Sequence, residues 1–398
     1  MKQVFESTEL AGVTIPNRVF RSATFEGMAD EKGVPGEDLI TFYSRMAKGG
    51  AGAIITGITC VQPDGKAFPT QMMIDRDEVI NDFRRLTGAV HEHGTPLFLQ
   101  IAHAGRQTDA FTTGTRPVAP SAIRDKTFPL DKPRALSESE ILELIEHFVD
   151  AAERAQKAGF DGVQLHGAHG YLLCQFLTPA MNQRTDQWGG STENRTRIVT
   201  EIVAGIRKRL GNFPVLIKIN AYDHMKNGTR LEEAVKVARI LEAAGIDAVE
   251  VSCGVMEDGL NTIRVTKAPV DGLLNRARQF KNLPGFVKIL MKPVAGLMMK
   301  TPQPTGNYNL DAAAAIKKQV GVPVIVVGGI RTLSDMEHVI QTETADYIAL
   351  ARPFIIQPDI VNRLKTGKAV ESACISCGGC FTSILDGRVR CLRDAGRS

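Results

Sequence analysis

The chain has 398 residues, 43% of them apolar and 23% charged, and its 48 basic and 44 acidic residues leave a net charge of +4. This is a globular composition, and so small an imbalance over this length excludes an electrostatic footprint for nucleic acid. No run reaches the ~18 apolar residues that a membrane span needs, and the opening MKQVFESTELAG lacks the apolar centre of a signal peptide. The sequence therefore predicts a cytoplasmic protein with no membrane partner.

Taken in order, strand-like apolar runs recur at 19–23, 51–57, 96–102, 160–166, 214–220, 247–252, 322–329 and 345–351. Between them lie helix-like segments such as 77–92, 137–157, 191–210, 230–244 and 334–341. Ser137 with Glu140 forms a capping-box pattern at the start of one, and Ile141, Leu144, Ile145, Phe148 and Ala152 then follow helical spacing. Strands that are apolar throughout, alternating with helices, belong to a parallel sheet covered on its faces. Eight of them predict a closed α/β (β/α)₈ TIM barrel. An open doubly wound sheet is the alternative, but no GxGxxG follows the first strand.

Two connections, 103–136 and roughly 253–308, exceed the ~2–6 residues of ordinary βα loops. The second carries Arg264, Arg276 and Arg278, and it reads equally as a substrate cap or as a peripheral excursion. The barrel is expected over 1–357, with 358–398 as a short cysteine-rich tail.

The chemistry gathers at the predicted C-terminal ends of strands, where such barrels hold their active sites. The run at 160–166 turns polar at His166, and His169 and Tyr171 follow within one turn. Two imidazoles at that spacing can converge on one ligand atom, and a phenol beside them can supply a proton; a capping histidine with two packing residues is the plainer reading. The seventh strand ends in Gly328-Gly329 and the eighth in Ala351-Arg352. Together they suit a phosphate, which needs close backbone approach and a guanidinium fork. Lys218 falls inside PVLIKIN, where an ammonium needs a partner. Either an anionic ligand at the mouth, such as a reduced flavin, or a carboxylate on a neighbouring strand would serve. Gln100 ends the third strand and can both donate and accept. In the tail, Cys374, Cys377, Cys380 and Cys391 are spaced C-x2-C-x2-C-x10-C, which suits a [4Fe–4S] cluster or a tetrahedral zinc site, or marks an empty remnant of one.

The stretches IPNRVFRSAT, TGITCVQPDGK, LQIAHAGRQ, HGAHGYL, NQRTDQWGGSTENR, GGIRT and ALARPF occur in this order over residues 15–354. In them the chain resembles the old yellow enzyme family of FMN-dependent NAD(P)H:flavin oxidoreductases, and within it the branch of 2,4-dienoyl-CoA reductase and trimethylamine dehydrogenase. The resemblance implies a barrel with FMN across its mouth. Ser22, Ala23 and Thr24 would line one flavin edge with Cys60 beside it, Gln100 and Lys218 would meet the pyrimidine portion, and Gly328, Gly329, Ala351 and Arg352 would hold the phosphate. His166 and His169 would hold a substrate oxygen, and Tyr171 would protonate the α-carbon. Two positions depart from the family pattern. Lys218 stands where many relatives have Arg, and Ser-Ala-Thr stands for Pro-x-Thr or Pro-x-Cys, leaving Thr24 and Phe25 both as candidates to face the flavin. The implied activity is NAD(P)H-dependent reduction of activated C=C bonds in a small-molecule substrate. Dehydrogenation of a C–N bond and an electron-transfer subunit with a partner protein are the alternatives, and a homo-oligomer stays open. The same branch carries a [4Fe–4S] cluster at a similar place in the chain.

Overall fold

The computed structural model describes residues 3–125, 130–258, 262–266, 268–277, 280–298 and 302–393; Arg278 lies outside them. Eight strands form the centre: β1 Val19–Arg21, β2 Ala53–Ile55, β3 Leu97–Ala102, β4 Gly162–Gly167, β5 Val215–Asn220, β6 Ala248–Ser252, β7 Val324–Val327 and β8 Tyr347–Leu350. Each pairs in parallel with the next, and β8 pairs with β1, so the sheet closes into a barrel. Every expected strand is present, its ends shifted by no more than two residues; β4 runs one residue further, to Gly167.

Helices cover the outside: α1 Glu37–Lys48, α2 Ile80–His91, α3 Glu138–Lys157, α4 Thr192–Leu210, α5 Leu231–Ala243, α6 Leu310–Lys317, α7 Leu333–Gln341 and α8 Ile360–Lys365. The capping box at Ser137 and Glu140 is formed, and the α3 stripe faces inward. Between helices and strands lies the larger core, with Leu97, Leu99, Val163 and Leu165 pointing outward from the sheet. Residues of the opposite parity, among them Phe20, Phe98, Leu216, Ala248 and Ile325, fill the barrel interior. A hairpin of Thr8–Leu10 with Val13–Ile15 plugs its lower end by inserting Leu10 and Ile15. Truncating a ring such as Phe98 in so closed a space costs about 3–5 kcal/mol.

Strand alternation decides what stands above this apolar layer. Two residues beyond Phe20, Phe98, Leu216 and Ala248 come Ser22, Gln100, Lys218 and Glu250, and Gln164 lies opposite Gln100 in register. The interior thus turns polar just below the mouth.

The long connection after β3 carries a short helix, Ala110–Thr113, and a parallel pair, Val118–Ala119 with Arg134–Ala135. The one after β6 contains two helices that sequence reasoning did not anticipate, Val270–Arg276 and Gly285–Met298. The tail is tied to the barrel near the start of α7. Thr332 bridges Glu371, and the Ser372 and Leu333 amides donate to the carbonyls of Arg331 and Val370. No described helix is long and apolar enough to cross a membrane.

Candidate active site at the barrel mouth

A cavity opens at the C-terminal ends of the strands. Ser22, Ala23, Thr24, Gln100, His166, His169, Tyr171, Lys218, Gly328, Gly329, Ala351 and Arg352 all line it. Both Thr24 and Phe25 reach it, and Phe25 stacks on Phe68 with ring centroids 4.5 Å apart. Cys60 is the exception: it is buried off the cavity, its thiol donates to the Gln62 carbonyl, and burial pushes its pKa up to about 12.

The floor is a buried polar network. Glu250 accepts from Ser22 Oγ (2.6 Å) and Gln164 Nε2 (2.7 Å), and its Oε1 lies 3.3 Å from Lys218 Nζ. Lys218 also donates to Ser22 Oγ at 3.0 Å, while Gln100 Nε2 donates to Gln164 Oε1 at 2.7 Å. Lys218 and Glu250 are register partners on adjacent strands, so the ladder sets their pairing. Burial draws the lysine's pKa down, and Glu250 opposes that. The neighbouring-strand carboxylate is therefore real, and Lys218 still faces the cavity. Gln164 and Glu250 were missed from sequence. Their signal was a polar residue at interior parity in an apolar run, as in DGVQLH and DAVEVS. Beside the floor, Arg21 holds the segment after β1 by donating to the carbonyls of Ile55 (2.6 Å) and Thr24 (2.9 Å).

On the β4 side, His166 and His169 stand with ring centroids 5.1 Å apart at 83°, and Tyr171 lies 4.9 Å from His166. The His169 ring is anchored by Ser252 Oγ at 2.7 Å, and its amide donates to Asn220 Oδ1. His166 Nδ1 is buried without a hydrogen-bond partner among the described residues, a cost of ~1–3 kcal/mol unless a ligand answers it. Burial is the main cause lowering both imidazoles, with His169 at about 3 and the Lys218 charge adding to the effect. Both are neutral at pH 7. Burial raises the Tyr171 phenol to about 12, so it holds its proton.

The opposite rim is a backbone cradle. Gly328 and Gly329 have φ of +148° and +79°, and a Cβ on Gly329 would sit 2.6 Å from the Thr305 carbonyl and 2.8 Å from the Asn307 amide. Only glycine fits there. Arg352 stands beside it, its Nη1 donating to the Arg264 carbonyl at 3.0 Å. Arg264 in turn lies 3.9 Å over the Tyr308 ring and donates to Tyr222 Oη. Thr262 and Ile263 line the cavity, so the beginning of the second excursion caps the mouth while its helices lie further out.

The tail forms another part of the wall. Cys374, Cys380, Phe381, Ile384 and Val389 line the main cavity, and Val389 donates its amide to the Glu26 carbonyl. Behind them, Cys374, Cys377, Cys380 and Cys391 surround a small cavity together with Arg352. Burial raises the Cys380 thiol to about 11, Arg352 opposes this, and the other three cysteines add to the rise. Among the described residues, no group of three or more His, Cys, Asp or Glu side chains is arranged to hold a metal ion; the four thiols share a cavity without closing on one point.

Comparison with known proteins agrees with this arrangement. The family model of the NADH:flavin oxidoreductase / NADH oxidase family matches residues 3–268 and 289–371. The NADH oxidase of Thermoanaerobacter brockii is 35% identical over 383 residues, which is 95% of this chain and 53% of that protein. The chain thus spans about half the length of that relative. Among solved structures, a 2-naphthoyl-CoA reductase superposes with a TM-score of 0.84 at 24% identity, covering 97% of this chain and 56% of the other. An old yellow enzyme homologue from Zymomonas mobilis superposes with a TM-score of 0.74 at 25% identity, covering 94% and 96%. The barrel, its mouth and the sequence thus place the chain in the NADH:flavin oxidoreductase / NADH oxidase family, the old yellow enzymes.

Proposed function

We propose that residues 1–357 form an FMN-binding barrel that uses NAD(P)H to reduce activated C=C bonds of α,β-unsaturated carbonyl compounds. The observation that carries this reading is the convergence of His166, His169 and Tyr171 with Lys218 and the Gly328–Gly329–Arg352 cradle around one cavity. The residues suit the cofactor: a glycine pair that tolerates no Cβ for the phosphate, a cation and an amide on the floor for the pyrimidine edge, and an orphaned imidazole nitrogen above. Bound FMN would supply the two-electron chemistry, accepting hydride from NAD(P)H and donating it to the substrate's β-carbon.

The side chains supply the rest. His166 and His169, neutral because they are buried, offer N–H donors to the substrate oxygen and favour its developing negative charge. Each such donor is worth ~2.7–4 kcal/mol when it acts as in an oxyanion hole. Tyr171 keeps its proton in the resting site and delivers it to the α-carbon as charge builds there. The floor cation Lys218, held by Ser22 and Glu250, favours extra electron density above it.

The reading extends to the tail, 358–398, where Cys374, Cys377, Cys380 and Cys391 would hold a [4Fe–4S] cluster. Four thiols crowded into a half-buried site favour a cationic centre that deprotonates them. Protein purified anaerobically should retain about one FMN per chain, released on denaturation, with about four iron and four sulfide. NADH or NADPH should bleach the flavin and 2-cyclohexenone should restore it. A chain that retains no flavin at micromolar concentration overturns the barrel reading. Zinc in place of iron, or neither metal, overturns the cluster alone.

A further inference from the structure

The most anomalous surface of the molecule lies on the helix Gly285–Met298. Phe286, Ile289, Leu290 and Val294 are 67%, 64%, 72% and 59% exposed. Their spacing of three, one and four residues puts them on one face of the helix. Soluble proteins scatter large apolar side chains singly over their surfaces; a continuous stripe of four marks an interaction surface. The opposite flank is fixed to the protein: Lys288 Nζ donates to the Lys281 carbonyl at 2.8 Å, and Lys292 pairs with Asp271 at 2.7 Å. The apolar face is therefore held outward.

Charge tells what covers it. From Gly272 to Leu310 the sequence contains six basic residues and no acidic one, although the whole chain carries only +4, and the pairings of Arg276 with Asp386 and of Lys292 with Asp271 still leave the segment basic. The family model does not match residues 269–288, which lead into and open this helix. A second copy fits poorly. Four side chains on a 14-residue helix fall short of the ~800 Å² per partner that a stable interface buries, and two such segments would bring like charges together. An apolar stripe within a carboxylate-free basic segment has instead the composition of a helix that lies in the headgroup layer of an anionic bilayer.

We propose that the helix Gly285–Met298 docks the protein on an anionic lipid surface, with Phe286, Ile289, Leu290 and Val294 entering the interface. This departs from the expectation of no membrane partner, which rested on the lack of a spanning run; no described helix can cross a bilayer, and this one lies on it. The helix Val270–Arg276 links the docking element to the site, since Gly272 packs against Thr382 of the tail whose Phe381 and Ile384 line the cavity.

The test is co-sedimentation of the full chain with vesicles of phosphatidylcholine alone or with 30% phosphatidylglycerol. Wild-type protein should sediment with the anionic vesicles at least tenfold more than with neutral ones, and less as salt is raised. Ile289→Ser with Leu290→Ser should abolish this while the thermal transition and the bound-flavin spectrum stay those of wild type. Two results overturn the proposal: equal sedimentation with both vesicle types, or undiminished sedimentation of the double variant. A wild-type dimer that the double variant converts to monomer, without vesicle binding by either, assigns the face to a second copy and also overturns it. The sedimentation, thermal and oligomer readouts do not depend on the ene-reductase reading.

Discussion

The floor of the barrel and the cysteine tail both border the same cavity, yet they are built on opposite principles. On the floor, Ser22, Gln100, Gln164, Lys218 and Glu250 sit on or just beyond strands whose ladders fix every Cα, and each is buried. Their side chains have little freedom, and their polar groups satisfy one another. The tail has no ladder of its own. Beyond α8 it is held by an isolated bridge at Glu371, backbone bonds of Val370 and Ser372 to the start of α7, and scattered contacts of Ser376 with Arg331 and Thr266, of Asp386 with Arg276 and of Val389 with Glu26. Closed hydrogen-bonded geometry fixes the first region before any ligand arrives, whereas the second leaves four thiols around a space that a ligand must organise.

The largest expected effect is at the mouth. Tyr171→Phe should leave flavin reduction by NADPH unchanged and slow flavin oxidation by 2-cyclohexenone by roughly 10²–10⁴-fold. Anaerobic stopped-flow of the two half-reactions separates them, and equal slowing of both would reduce Tyr171 to packing. Next comes the floor. Lys218→Met strands the Glu250 carboxylate, which is 0% exposed, and should cost ~3–5 kcal/mol in urea unfolding. Adding Glu250→Leu should recover most of that loss. A loss below about 1 kcal/mol would mean that the pair is hydrated in solution.

The histidines give the pH dependence. Their folded pKa values lie below the ordinary 6.5, with His169 at about 3, so the unfolded chain binds more protons. Their contribution is intact above pH 6.5 and is lost as pH falls toward 3, by up to ~1.4 kcal/mol per pH unit for each histidine. His169→Asn should flatten the fall of the urea midpoint between pH 6.5 and 4; an unaltered slope would assign it to other groups. Smaller effects belong to the periphery. Cys391→Ser should remove iron yet shift barrel unfolding by no more than about 1 kcal/mol, the range of a peripheral substitution. A larger shift would make the tail part of the barrel's stability. Ser137→Ala at the α3 capping box should cost about 1 kcal/mol, measured the same way.

How much of this was legible in sequence follows the same division. The eight strands, α3 with its cap, and His166, His169, Lys218, Gly328, Gly329 and Arg352 at the mouth could be read because apolar runs and strand ends have a fixed meaning in an alternating β/α chain; Ser22, Ala23 and Thr24 came from the resemblance. Glu250 and Gln164 were harder, since a single polar residue in a buried run shows its partner only when the register is known. The helix Gly285–Met298 was hidden because Pro293 and the glycines around it read as coil, while its apolar face stays largely exposed. Cys60 was placed at the flavin edge by resemblance alone; its neighbours turn the thiol toward Gln62.

The turn that carries the two imidazoles has a consequence for how this site can drift through evolution. His169 adopts a left-handed backbone, φ +63°, followed by Gly170 at φ +86°. Among side chains with a hydrogen-bond donor, asparagine is the one that accepts this conformation as readily as histidine. A histidine codon becomes an asparagine codon by a single base change, so this exchange is open to neutral drift. A β-branched donor such as threonine would strain the turn. The donor at position 169 can therefore alternate between imidazole and amide without the barrel being rebuilt.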